Sequence, residues 1–315
     1  MLDITTIILT YNEEIHIRRC LENVCPISKK VIVVDSPSTD RTVEICQEFK
    51  NVEVVFHKYP GNQAEQFNWA LDNLKIDTAW VLRMDADEYL TSELINEMKQ
   101  KLPTMEESVS AVVFPLGRAF MGRILKHGIV NGVRMIRLFR FGKVRYEERL
   151  IDEHLRVLSG RIVSFKNKFI DYNLLPISQF ISKHNNYSSR EATLLLDAEY
   201  ELTEIDFERE DYAPEVVAKR AQKSKYAKMP LFWRSIGYFM YRYIFKLGFL
   251  DGKEGFCWDF FQGLWYRMLV DAKVYEIKKT CGLLRTKFKY MTVEERQRTR
   301  ETLKRYINER FNISL

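Results

Sequence analysis

Trp80-Val81-Leu82-Arg83-Met84-Asp85-Ala86-Asp87 decides the fold: a short apolar run that closes on two carboxylates. Val31-Ile32-Val33-Val34-Asp35 repeats the pattern upstream, again with an acid at the end. Two more β-rich runs, Thr5–Thr10 and Val52–Phe56, complete a set of four predicted strands with Val31–Val34 and Trp80–Met84. Helical patterns separate them. One is expected from Asn12, read as the N-cap, with Ile17, Cys20, Leu21 and Val24 on one face. A second is expected over residues 40–49. A third spans residues 62–74, aligning Phe67, Ala70, Leu71 and Leu74. Strands joined by crossover helices pair in parallel, and such sheets bind ligands at the carboxyl ends of their strands. The acids therefore stand where a ligand crevice should open.

A fourth helix is signalled by Thr91-Ser92-Glu93 and ends before Pro103, and a strand follows over Ala111–Leu116. From Arg118 to Ile170 the pattern changes to short strand-like runs rich in Arg and Gly, expected to pack against the first sheet. From Ile177 onward the signals are helical and aromatic-rich, with a charged last helix near Thr292–Phe311. The fold class expected is α/β, with a mostly parallel central sheet followed by C-terminal amphipathic helices.

The chain has 315 residues, is 46% hydrophobic and carries a net charge of +6, the composition of a folded protein. Charge is unevenly spread. Residues 1–213 hold 27 Lys/Arg against 33 Asp/Glu, whereas residues 214–250 hold 8 against 1 and residues 273–315 hold 12 against 5. An acidic body with basic segments behind it argues against a nucleic-acid binder and suits contact with an anionic surface. The opening Met1-Leu2-Asp3 lacks a basic leader, so a cytoplasmic protein is expected. Five cysteines (Cys20, Cys25, Cys46, Cys257 and Cys281) fit neither a disulfide framework nor a structural zinc site. The apolar stretch Met229–Leu250 is broken by Arg234, Arg242 and Lys246, so no spanning helix is predicted.

Two carboxylates at i and i+2 on extended chain point the same way and repel unless a cation relieves them, so Asp85 and Asp87 suit Mg²⁺ or Mn²⁺. An acidic turn is the other reading. Thr10-Tyr11-Asn12-Glu13-Glu14, then Val34-Asp35-Ser36-Pro37-Ser38-Thr39-Asp40-Arg41-Thr42, then Asp85-Ala86-Asp87-Glu88 resembles, in order and spacing, the motif series of family-2 glycosyltransferases with the GT-A fold. The likeness is greatest to the members that build bacterial lipopolysaccharide core and capsule.

The resemblance implies an inverting, metal-dependent transferase using a UDP-sugar and a glycan or lipid-linked acceptor. It places Thr10, Tyr11 and Glu13 against the nucleoside, Asp35 on the base or ribose, Asn68 beside the nucleotide, and Asp85 with Ala86 at the ribose or metal. Asp87 would be the direct metal ligand, with Asp85 beside it, and His184 would complete the metal shell; a surface-loop histidine is the alternative. Asp152-Glu153-His154 resembles the place of the acceptor-activating carboxylate, with Glu153 the first choice, Asp152 the second, and His154 an orienting group. Pro37 stands where the family usually has Gly, which excludes positive φ there. Arg118, Arg123 and Lys126 could meet a diphosphate or form a solvated strand edge.

The expected domains are a GT-A catalytic region, 1–175, with a nucleotide half over 1–103 and an acceptor half over 104–175, and a helical region, 176–315. Pro230–Phe249 and Phe256–Leu269 suit equally a membrane interface, which would make the protein peripheral on the inner face of the cell membrane, and packing on the catalytic region or a partner subunit. Lys246–Phe256 also resembles the surface-glycan members. The competing functions are a sugar-phosphate nucleotidyltransferase, which would need a Gly-rich, basic loop after the first strand, and a catalytically silent binding protein recruited to membranes.

Overall fold

The computed structural model describes residues 1–130, 132–147, 155–203, 226–285, 288–313 and 315. The chain divides into two compact units, Met1–Leu175 and Pro176–Leu315.

The first unit begins with β1 (Leu2–Thr10), α1 (Ile17–Val24), β2 (Ser28–Asp35), α2 (Thr42–Gln47), β3 (Val52–Phe56), α3 (Gln63–Asn73) and β4 (Trp80–Asp85). β1 pairs in parallel with both β2 and β4, and β2 with β3. The central strand buries both faces: Ile4 and Ile8 pack toward Leu21, Val24 and Met98, while Ile7 packs toward Phe67, Ala70 and Leu71. This two-sided burial is why the strand reads as a continuous apolar run rather than an alternation. α3 is capped by Asn62, whose side chain accepts from Glu65 N, and α4 (Ser92–Lys101) by Thr91, which accepts from Leu94 N.

The first helix differs from expectation. α1 starts at Ile17, not Asn12, and Asn12 sits at φ 55°. The amides that would have opened a helix are bonded elsewhere: Asn12 N donates to Ser38 Oγ, Glu13 N to Thr42 Oγ1 and Glu14 N to Asp40 Oδ2. Asn12 Oδ1 in return accepts from Thr39 N at 2.8 Å. Residues 10–14 are thus a loop laced to residues 38–42. The second helix is likewise shorter than expected, because Asp40 turns outside it to accept from Thr42 N and Oγ1.

The remaining strands of this unit are β5 (Glu88–Leu90), β6 (Val109–Phe120), β7 (Arg123–Leu125), β8 (Arg134–Arg140), β9 (Val144–Tyr146), β10 (Leu155–Val157), β11 (Arg161–Ser164) and β12 (Phe169–Tyr172). The main sheet runs β3-β2-β1-β4-β8-β6-β12-β5, with β7 and β11 also on β6; β9 and β10 form a separate ribbon. β8 enters antiparallel between β4 and β6, so the parallel nucleotide half continues into a mixed sheet. The long β6 serves both regions, pairing with β8 and β11 early and with β12 and β7 late.

The second unit contains α5 (Ile177–Tyr200), α6 (Trp233–Met240), α7 (Gly252–Trp258), α8 (Tyr266–Thr280) and α9 (Val293–Phe311). Wide π-helical turns at Tyr241–Phe245 and Asp259–Trp265 extend α6 and α7. Its core is Ala192, Leu196 and Tyr200 of α5 against Val270, Val274 and Ile277 of α8 and Leu303 and Ile307 of α9. Thr292 and Glu295 form a capping box at the start of α9. All five cysteines are free. Among the described residues no helix is long and apolar enough to cross a membrane.

Candidate functional site

The strand register assembles the acids. Thr10 lies opposite Asp35 on β2, and Leu9 opposite Asp85 on β4, so the two carboxylates flank the end of β1. Neighbouring strands are about 4.8 Å apart, which places the acids within roughly 10 Å of one another.

Asp35 is fully buried. It accepts from Thr10 Oγ1 (2.8 Å) and Ser38 Oγ (2.6 Å) at one oxygen and from Ser38 N (2.8 Å) at the other. These bonds hold the loop that carries Pro37. Tyr11, by contrast, is 61% exposed beside it. Glu13 bonds His16 Nδ1 at 2.6 Å, and His16 Nε2 accepts from Leu174 N at 2.9 Å, so Nδ1 carries the proton and donates to Glu13. Asn68 uses both ends of its amide on the backbone of Tyr146, donating to its O and accepting from its N.

Asp85 and Asp87 differ in environment. Asp85 Oδ1 accepts from Arg83 Nη2 at 3.1 Å and Oδ2 from Arg137 Nη2 at 3.2 Å. Arg137, a buried residue of β8, also pairs with buried Glu88, whose second oxygen accepts from Asp85 N at 3.0 Å. Burial pushes the Glu88 carboxyl up, with Arg137 opposing the shift. Burial pulls the Arg137 guanidinium down, but Glu88 and Asp85 more than offset this and hold it above its ordinary value. The guanidinium groups rest over rings, Arg83 over Tyr146 and Arg137 over Phe169.

Ala86 is buried between the two aspartates. Asp87 is partly exposed; its Oδ2 accepts from Asn173 at 3.1 Å, and its carbonyl accepts from Tyr172 N and Arg19 Nη2. Asp171 stands nearby on β12, paired at 2.5 Å with Arg118 of β6. Burial raises its carboxyl; Arg118 opposes the shift, and the charges of Asp87 and Asp85 add to it. Around Asp87 the acids Asp85, Glu88 and Asp171 are each paired with an arginine, whereas the partly exposed Asp87 carboxylate bonds the neutral amide of Asn173.

These hard oxygens fit a divalent cation in the manner of a site with one or two protein carboxylates and the remainder water or phosphate. Among the described residues no group of three or more His, Cys, Asp or Glu is arranged to hold a metal by itself. His184 lies on α5 in the second unit. Its Nδ1 bonds Phe180 O at 2.8 Å, its Nε2 lies 2.6 Å from Gln262 Nε2, and its ring stacks on Phe180. Both of its ring nitrogens are thus engaged within the second unit, and Asp87 and Asp85 are the candidate metal ligands of the first. Glu153, Asp152 and His154 lie outside the described residues.

Arg137, Glu88, Asp171 and Asn173 are additions that the sequence reading did not assign. Arg137 looks like an outward-facing member of Arg134-Met135-Ile136-Arg137-Leu138. One signal was available: Glu88 directly follows the Asp85–Asp87 pair, and a third acid there calls for a cation.

The sequence profile described as Glycosyl transferase family 2 matches residues 5–168. The glycosyltransferase SunS encoded by the SPbeta prophage of Bacillus subtilis is 29% identical over 154 residues, 48% of this chain and 34% of its own length. The chain thus spans about a third of that relative. The lipopolysaccharide core biosynthesis glycosyltransferase LpsC of Rhizobium meliloti is 26% identical over 201 residues, 61% of this chain and 71% of LpsC. Among solved structures, the mannosyltransferase PcManGT of Pyrobaculum calidifontis, in complex with GDP-Man and Mn²⁺, aligns over 87% of each chain with 15% identity and a TM-score of 0.47. With its GT-A-type sheet and a matching profile across just over half its length, the chain belongs to glycosyl transferase family 2.

Proposed function

We propose that the protein is a metal-dependent inverting glycosyltransferase that moves a hexose or N-acetylhexosamine from a UDP-sugar to a surface-glycan or lipid-linked acceptor at an anionic membrane face. The observation that carries this reading is the division of labour between the two aspartates: Asp85 is held by Arg83 and Arg137, while Asp87, partly exposed like Asp85, bonds the neutral amide of Asn173 just beyond the strand end. Similarity to LpsC supports the glycan acceptor.

Asp87, with Asp85 behind it, would hold Mn²⁺ or Mg²⁺, whose charge would offset that developing on the departing diphosphate. Arg83 and Arg137 fix the Asp85 carboxylate so that it need not reorganise during the reaction. Exposed Tyr11 offers a ring beside the Thr10–Asp35 pair, where a nucleoside base can rest. Glu153, or failing it Asp152, takes the proton from the acceptor hydroxyl as the anomeric carbon is attacked from the side opposite the diphosphate. The nucleotidyltransferase alternative fares worse, because the amides of Asn12, Glu13 and Glu14 are already bonded to side chains and do not form a triphosphate cradle.

The test screens UDP-, GDP- and CMP-sugars for metal-dependent hydrolysis and transfer, with Asp87→Ala and Glu153→Gln as variants. Full transfer by Asp87→Ala removes the metal assignment, and full transfer by Glu153→Gln removes the base. Calorimetry showing no metal-dependent UDP binding removes the donor assignment.

A further inference from the structure

The arginines that interrupt the apolar stretch of the C-terminal region point inward. Arg234 is 2% exposed and its Nε donates to Asp271 Oδ1 at 2.8 Å; the other oxygen of Asp271 accepts from Ser235 Oγ and Phe232 N. Arg242 is also buried, its Nε donating to Asp259 Oδ1 at 2.9 Å while its stem passes over Gly263. Both acids come from the helices packed beneath, α8 and the wide turn that follows α7.

The outer face is apolar as a consequence. Trp233, Ile236, Met240 and Ile244, spaced three and four apart, are all exposed, with Trp233 at 73% and the adjoining Phe245 at 74%. Amphipathic helices of folded domains normally show the reverse arrangement, apolar side in and charge out. A contiguous exposed apolar stripe of this kind marks a surface that meets an apolar phase.

Charge selects the occupant. Between residues 226 and 250 there is no Asp or Glu, and the first acid after them, Asp251, is buried. Lys228 and Lys246, near the two ends of the stripe, are exposed, and Lys253 follows. Bulky apolar side chains bordered by lysines match a bilayer with anionic headgroups, where the rings enter the acyl boundary and the ammonium groups meet phosphate.

We propose that α6 and the wide turn after it form an in-plane membrane-docking face, with Trp233 and Phe245 as inserted anchors and Lys228 and Lys246 as headgroup contacts. This gives residues to the membrane-facing part of the function proposed above and rests on that part alone. The buried Arg234–Asp271 and Arg242–Asp259 pairs hold the helix with its apolar side outward.

The test is co-sedimentation of the full chain with vesicles of phosphatidylcholine alone or mixed equally with phosphatidylglycerol, without donor or acceptor, so that failure of docking and failure of sugar transfer are read separately. The chain is expected to bind the mixed vesicles about tenfold or more tightly than the neutral ones. Trp233→Ser with Phe245→Ser should weaken binding to mixed vesicles about tenfold or more with an unchanged melting temperature. Lys228→Glu with Lys246→Glu should abolish the preference for anionic lipid. Absence of vesicle binding by the unaltered chain overturns the proposal, as does undiminished binding by the Trp233/Phe245 variant. A dimer that the same variant dissolves, in place of vesicle binding, would assign the face to a second copy and equally overturn it.

Discussion

Replacing Arg137 with methionine keeps most of the side-chain volume on β8 and removes the cation between Asp85 and Glu88. At 3.2 Å from Asp85 Oδ2, the guanidinium contributes an attraction of about 5 kcal/mol at an effective dielectric of about 20. Part of this is offset by its own desolvation, and removing one partner of a buried pair costs about 3–5 kcal/mol. For a unit of this size that corresponds to roughly 6–20 °C in melting temperature, at roughly 2–4 °C per kcal/mol. The pH dependence has a definite sign. Without Arg137, burial and the charge of Asp85 push the Glu88 carboxyl further up. The folded variant then keeps a proton that the unfolded chain has lost, so its stability falls as pH rises from about 4 toward about 8. Adding Glu88→Gln, whose side-chain oxygen can still accept from Asp85 N, should recover about 2 kcal/mol or more and flatten that slope. Thermal unfolding of the three variants across this pH range is the assay. A loss below about 1 kcal/mol, or a defect that neither varies with pH nor responds to Glu88→Gln, would refute the argument that Arg137 neutralises the acids beneath the site.

Other perturbations give separable outcomes. Asp87→Ala should lower transfer about a hundredfold or more with an unchanged melting temperature, because its carboxylate is partly exposed and bonded among the described residues to Asn173. Asp35→Asn should cost about 1–3 kcal/mol in denaturant unfolding, since an amide NH₂ would face the donors Thr10 Oγ1, Ser38 Oγ or Ser38 N. Gly248→Ala brings a Cβ to 1.9 Å from Asp259 Oδ2 and 3.1 Å from Arg242 O; it should destabilise the second unit by about 1–3 kcal/mol, read by calorimetry. Thr292→Ala removes the cap of α9 and should cost about 1 kcal/mol, measured in the same way.

The parallel half of the sheet and its acids are legible in the chain because they are local. β1, β2, β3 and β4 each read from a run of β-branched and apolar residues, and Asp35 and Asp85 mark their ends within the same few positions. Asn62 and Thr91 likewise announce α3 and α4 within four residues of the bonds they make. Asn12 misleads for the complementary reason. A good capping residue before two glutamates is a sound local signal, but Ser38, Asp40 and Thr42, some 26 to 29 positions away, offer those amides better partners.

What depends on strand ends, caps and apolar periodicity was therefore readable from residue order: the α/β class and the strand ends at which Asp35 and Asp85 stand. Which charges neutralise which, and which face of a helix meets water, are properties of contacts between distant segments. Arg137 reaches Asp85 across 52 positions, and Arg234 reaches Asp271 across 37. In a one-dimensional pattern these arginines look like solvated breaks in apolar runs. Folding turns them inward to meet carboxylates that are distant in the sequence, and on α6 the apolar neighbours Trp233 and Ile236 are left facing outward.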